Sequence, residues 1–220
     1  MTTPRRSPSP FPRPEQPASR REPPFDPNSW SGALILMGVF VAVLWAVQLV
    51  NASDGYHLDR FGLQPREADG LWGILTMPFL HASYDHLLSN TIPVVAIGWI
   101  VLLSGLRVWL TVTAIVVVAG GALTWLVGPA GIIVGASGLV FGWLGYLLAR
   151  AYFSRKLKWI IVAVLVLMFF GSLLFGLFPT LHSGISWQAH LCGFVAGVAA
   201  GALLHPRGGA TRSLRRPVVS

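Results

Sequence analysis

Residues 108–149 read VWLTVTAIVVVAGGALTWLVGPAGIIVGASGLVFGWLGYLLA, 42 positions between Arg107 and Arg150 without one Asp, Glu, Lys or Arg. A helix needs about 20 apolar residues to cross a bilayer core, so this stretch is twice the length of one crossing. Gly128-Pro129-Ala130-Gly131 breaks it near its middle, a cluster that stops helices and starts turns. The stretch therefore predicts two membrane helices, at 108–127 and 136–150, joined by a tight connection.

The same pattern extends outward in both directions. No charged residue lies between Asp26 and Asp54, between Asp85 and Arg107, or between Lys158 and Arg207. The first two intervals hold one helix each, at 31–52 and 86–104. The last is double length and breaks at Phe178-Pro179-Thr180, which gives helices at 158–178 and 186–205. The expected fold is all-α, a bundle of six transmembrane helices whose fourth is short and begins at Ser137. A composition of 54% hydrophobic and 11% charged residues over 220 residues agrees with one polytopic membrane domain.

Charge asymmetry orients the bundle. With six crossings both termini share a side, and 14 of the 16 basic residues fall on it, with only Arg60 and Arg66 on the other. Basic residues stay preferentially on the cytoplasmic side of short loops, so the expected topology is N-in and C-in across the plasma (inner) membrane. The net charge of +8 then has anionic lipid headgroups as its counterpart and calls for no nucleic acid. Residues 1–30, rich in Pro, Ser and Arg, and the basic residues 206–220 read as cytoplasmic tails flanking a membrane domain at 31–205. The first helix, without a small-residue cleavage site, reads as a retained anchor. The external loop, about 53–85, carries Asp54, Asp59, Glu67 and Asp69 and reads as a surface-lying amphipathic segment anchored by Trp72 and Phe79.

Polar groups inside apolar helices carry a desolvation cost, which makes them the informative positions. Four stand out: His86, Asn90, Ser137 and His190. His86 and Asn90, four apart, share a helix face. Ser137 lies in Gly135-Ala136-Ser137-Gly138 at the start of the fourth helix, where a serine is ordinarily a cap. If Arg150 marks the membrane boundary, 14 residues of helix put Ser137 about 10 Å below the opposite surface. His190, four residues into the sixth helix, reaches a similar depth. Gly193, Gly197 and Gly201 form a small-residue seam after it, and Gly138, Gly142 and Gly145 mirror that seam on the fourth helix. Close packing would bring imidazole to hydroxyl, the pairing that makes a weak nucleophile reactive. Every Asp and Glu lies at or before Asp85, so the chemistry open to this pair is a dyad without an acid. Cys192 is the only cysteine, which excludes an intramolecular disulfide.

This ordered set resembles the rhomboid family of intramembrane serine proteases across about residues 30–205. Gly135-Ala136-Ser137-Gly138 is similar to its GxSG motif, Ala189-His190-Leu191-Cys192-Gly193 with Gly197 to its AHxxGxxxG motif, and His86 with Asn90 to its HxxxN pair. His81 stands where the family has a further histidine. The resemblance implies that Ser137 attacks, that His190 is base and then acid, and that His86, Asn90 and the Ser137 N–H bind the oxyanion. It further implies that Phe141 packs on the catalytic imidazole, a position where a plain core Phe is the alternative. Substrates would be single-span membrane proteins, cut without metal or cofactor, and helix 158–178 would be either a lateral gate or an ordinary bundle helix. Trp72 is followed by Gly73 where some relatives carry Trp-Arg, so the external loop must be anchored differently. A catalytically silent rhomboid-like binder of transmembrane helices is the alternative function. A solute transporter would call for midplane polar residues on several helices, and the sequence offers few.

Overall fold

The computed structural model describes residues 26–179 and 186–205. The Pro/Arg-rich segment before Asp26, the C-terminal tail from residue 206 and Thr180 in the second expected break lie outside the described residues. Among the described residues eight α-helices run in chain order: α1 Trp30–Ser53, α2 Gly73–Thr76, α3 Tyr84–Leu102, α4 Leu106–Ile115, α5 Gly121–Val127, α6 Ser137–Ser154, α7 Leu157–Phe170 and α8 Trp187–Leu204. A π turn, Val116–Gly120, fuses α4 and α5 into one column. No β-strand occurs among the described residues, only an isolated bridge between Leu63 and Ile133.

Five of these columns are long and apolar enough to cross a membrane: α1, α3, Leu106–Val127, Leu157–Leu177 and α8. The protein is thus a multi-pass membrane protein. Helix α6, not among these five, lies inside the bundle, with every residue from Gly138 to Leu147 buried. A helix covered on all sides needs no lipid-facing stripe and can carry small and polar residues throughout.

Local chemistry sets the helix ends. Ser29, Ser83 and Ser186 cap α1, α3 and α8, each hydroxyl accepting a backbone N–H from the first turn. Two boundaries differ from the sequence reading. Helix α6 does not end at Arg150 but runs on to Ser154, stopping at Arg155 in the left-handed region (φ 52°). Arg150 stays helical because its guanidinium lies 3.5 Å over the Trp159 ring and donates to the Tyr146 hydroxyl at 2.8 Å. Arg150 is therefore not the end of α6, and the 14 residues from which the depth of Ser137 is reckoned become 18. At 18 residues α6 is about 27 Å long, close to an ordinary crossing. The fifth column also departs from a continuous helix, since α7 gives way at Gly171 to a 3-10 segment, Gly171–Leu177.

The helix ends fall into two sets. Trp99 donates to the Trp30 carbonyl, and Leu106 N–H to the Asn28 side chain, which joins the start of α1, the end of α3 and the start of α4. Trp99 and Leu103 share a cavity with Lys158 and Trp159 at the start of α7. Tyr146 meets His205, placing the end of α8 beside the end of α6. Arg107, Arg150, Arg155, Lys156 and Lys158 gather at this end, and Arg60 and Arg66 are the only basic residues at the other among the described residues.

The seam between α6 and α8 is the closest in the bundle, with backbone against backbone. A Cβ at Gly193 would land on the Gly138 carbonyl, one at Gly197 on the Gly142 carbonyl, and one at Gly145 on the Phe194 carbonyl. At Gly120, in the π turn, the nearest foreign atom is the Gly193 Cα, 3.2 Å from where a Cβ would sit. Larger side chains at these positions would push the helices apart, which is the physical reason for the glycine pattern.

Candidate active site

The seam delivers Ser137 and His190 to one point. Ser137 is the first residue of α6 and His190 lies in the first turn of α8, its ring held between the two helices with 7% exposure. Imidazole Nε2 is 2.8 Å from Ser137 Oγ. Its other nitrogen, Nδ1, is 3.0 Å from the carbonyl oxygen of Gly176 in the 3-10 segment. The Phe141 ring stacks on the imidazole at 4.2 Å between centroids and 15° between planes. A carbonyl can only accept, so Nδ1 is the protonated nitrogen and Nε2 is free to accept the serine proton.

The backbone leading into Ser137 is held from three directions. Leu63 and Ile133 exchange both backbone hydrogen bonds, at 3.0 and 2.8 Å, which clips the loop between α1 and α3 onto residues 131–134. Gly135 N–H donates to the Met77 carbonyl at 2.9 Å, and Ala136 N–H donates to His81 Nε2 at 3.3 Å. Gly135 has φ 126°, a conformation that only glycine adopts without strain. A Cβ there would also lie 2.8 Å from the His86 ring. His81 is fully buried, and burial first, then the neighbouring His86, push its imidazole down to about 4. It is therefore a neutral acceptor at physiological pH.

A cavity of about 390 Å³ opens above this point, lined by His86, Ile132, Val134, Ser137, Ser186 and His190, among others. Among the described residues no Asp or Glu lines it. Ser137 N–H, in the first turn of α6, has no partner within its helix. His86 reaches the same cavity from α3, its ring edge-on to His81 at 5.2 Å between centroids. Asn90 does not reach the cavity. Its amide donates to the His86 carbonyl on its own helix at 2.8 Å, and it is absent from the cavity wall. The site thus unites Ser137, His190, His86, Gly135, Gly138 and Phe141, holds His81 one layer behind, and keeps Asn90 turned away. Gly193 and Gly197 serve it by closing the seam. Among the described residues no group of three or more His, Cys, Asp or Glu side chains is arranged to hold a metal ion.

Two contributors carried no sequence signal. Gly176 acts through its backbone carbonyl, and nothing in GSLLFGL distinguishes that carbonyl from its neighbours. Arg66 anchors the loop between α1 and α3, where Trp72-Gly73 left the anchoring open. Its guanidinium donates to the carbonyls of Gly128 and Leu126 at 2.8 and 3.3 Å, and Trp125 returns a bond to the Glu67 carbonyl at 2.9 Å.

Comparison with known proteins agrees with this geometry. The Rhomboid domain family matches residues 68–207. Uncharacterized proteins of Mycobacterium tuberculosis and Mycobacterium bovis are each 43% identical over 185 residues, covering 80% of this chain and 77% of theirs. One from Mycobacterium leprae is 39% identical over 194 residues, covering 84% of this chain and 77% of its own.

Proposed function

The chain belongs to the rhomboid family, and we propose that it is an intramembrane serine endopeptidase that cuts single-span membrane proteins with a Ser137–His190 dyad. The observation that carries this reading is the 2.8 Å contact between His190 Nε2 and Ser137 Oγ inside a cavity open to one end of the bundle. Ser137 donates its proton to Nε2 as Oγ attacks the scissile carbonyl. The carbonyl oxygen, now an oxyanion, accepts from the Ser137 N–H and from His86, where preorganised donors are worth several kcal/mol. Asn90 would join them only by turning its side chain from the His86 carbonyl into the cavity. The imidazolium then protonates the leaving amine, which departs and leaves an acyl-enzyme. Water, deprotonated by the restored imidazole, hydrolyses that ester and regenerates Ser137.

The bundle crosses the membrane six times, with the basic end and both termini in the cytoplasm and the cavity opening toward the other side. The gathering of Arg107, Arg150, Arg155, Lys156 and Lys158 at one end supports this orientation. Substrates enter laterally from the bilayer, past the fifth column.

A fluorophosphonate probe separates an enzyme from a silent helix binder. Protein in detergent or proteoliposomes labels at Ser137 and cleaves a single-span reporter, and Ser137→Ala and His190→Ala each lose both. Undiminished cleavage by Ser137→Ala would sink the proposal. For topology, tags on both termini are reached only from the cytoplasmic side, and a tag reached from outside refutes the six crossings.

A further inference from the structure

We infer that the 3-10 segment Gly171–Leu177 is a working part of the catalytic apparatus: the Gly176 carbonyl holds the tautomer of the base, so His190 is competent only while this segment is seated. The inference rests on the Ser137–His190 reading and adds a positioning group and a mode of control to it. An imidazole with its proton on Nε2 cannot take one from Ser137. The Gly176 carbonyl, 3.0 Å from Nδ1, accepts the Nδ1 proton and leaves the Nε2 lone pair for Oγ at 2.8 Å. When Nε2 is protonated the ring becomes cationic, and a hydrogen bond from a charged donor is about twice as strong as a neutral one. The carbonyl thus does for His190 what a carboxylate does in a triad, fixing tautomer and ring and favouring the cation. No carboxylate lines the cavity to do it instead.

Glycine at 176 suits this close approach. A Cβ there would stand 3.0 Å from Phe141 Cζ and 3.1 Å from His190 Nδ1, so both side chains would have to give by a few tenths of an ångström. The element that delivers this carbonyl is also the least embedded of the apolar columns. Only 11% of its apolar window is buried, against 44% for α3 and α8. Helix α7 rests on the bundle along Trp159, Ala163 and Val166, one stripe at i, i+4 and i+7, and no residue of Gly171–Leu177 is buried. An outward displacement of the segment withdraws the acceptor, releases Nδ1–H, and lets the imidazole reverse its tautomer. Admission of a substrate past this column and activation of the base are then opposed steps, and chemistry waits until the column closes again.

The test replaces Leu177 by its α-hydroxy acid, which turns the Gly176–Leu177 peptide bond into an ester with a weaker carbonyl acceptor and adds no side-chain bulk. The same replacement at Leu174, in the same segment, controls for loss of segment stability. In proteoliposomes the Leu177 ester lowers kcat about 10-fold with KM unchanged, and the Leu174 ester changes it less than about twofold. Nitrogen-15 shifts of His190 report a protonated Nδ1 in the wild type and a mixture of tautomers in the Leu177 ester. Equal kcat in the Leu177 ester, an equal fall in both esters, or a wild type protonated at Nε2 each overturns the inference. A wild type that does not label at Ser137 overturns the dyad and this inference with it, whereas normal labelling with an unaffected Leu177 ester overturns this inference alone.

Discussion

Replacing Gly197 by Ala tests the load on the α6–α8 seam, and Gly38→Ala supplies the contrast. Both glycines lie inside helices, where Ala is favoured by about 1 kcal/mol. At Gly38 a Cβ meets nothing within 4 Å, so only that gain applies and the variant is more stable by about 0.5–1 kcal/mol. At Gly197 the Cβ falls on the backbone carbonyl of Gly142, which has no rotamer by which to withdraw. Overpacking costs about 1–3 kcal/mol, and an immovable neighbour puts this site at the upper end. About 3 lost against about 1 gained leaves Gly197→Ala less stable by about 2 kcal/mol. The activity loss is larger in proportion. His190 sits seven residues, or about 10 Å, along the same helix, and prying the helices apart carries the imidazole away from Oγ, where a 1 Å error costs about 100-fold. Unfolding in mixed micelles by steric trapping measures the first quantity and the fluorophosphonate labelling rate of Ser137 the second. A Gly197→Ala protein with wild-type stability and labelling, or a Gly38→Ala protein as damaged as Gly197→Ala, refutes the reasoning.

Arg66→Ala removes the bonds to the Gly128 and Leu126 carbonyls and lowers stability by about 1–2 kcal/mol; protease nicking of the 53–85 loop rises, and unchanged nicking shows that the clasp is idle. His81, held down to about 4 in the fold, titrates near 6.5 once unfolded, so between pH 6.5 and 4 the unfolded chain binds the proton first and stability falls with pH. The loss amounts to about 3 kcal/mol by pH 4, and it disappears in a His81→Gln background; an equal acid sensitivity in that variant removes His81 as the cause. Gln48 is fully buried in α1 with neither amide atom bonded among the described residues, so Gln48→Leu stabilises by about 1–3 kcal/mol. A destabilised Gln48→Leu protein, measured in the same trapping assay, reveals a polar partner for that amide.

The apolar columns and the seam between α6 and α8 were legible because each rests on a one-dimensional signal. Charge-free runs mark the apolar columns, and glycines three or four apart mark where backbones meet. Ser137, His190 and His86 were legible because polar groups are conspicuous among apolar residues. What the sequence did not show depends on side chains meeting across the fold. Arg150 reads as an interfacial charge until Tyr146 and Trp159 are seen to house it. Asn90, on the expected helix face, spends its amide on its own helix, a choice of rotamer that spacing cannot express. The Gly176 carbonyl is identical in sequence to every other carbonyl, and only the fold singles it out.

In the proposed dyad Ser137, at the head of α6, is the nucleophile and His190, on α8 and 53 residues later, is the base. Neither helix holds a complete dyad by itself. A growing chain that has inserted α6 but not yet α8 has a serine without a partner and is chemically silent. In the proposed protease, docking of the last described helix is therefore the step that completes the dyad. On that reading, membrane proteins inserted alongside the unfinished chain are spared for as long as α8 is missing.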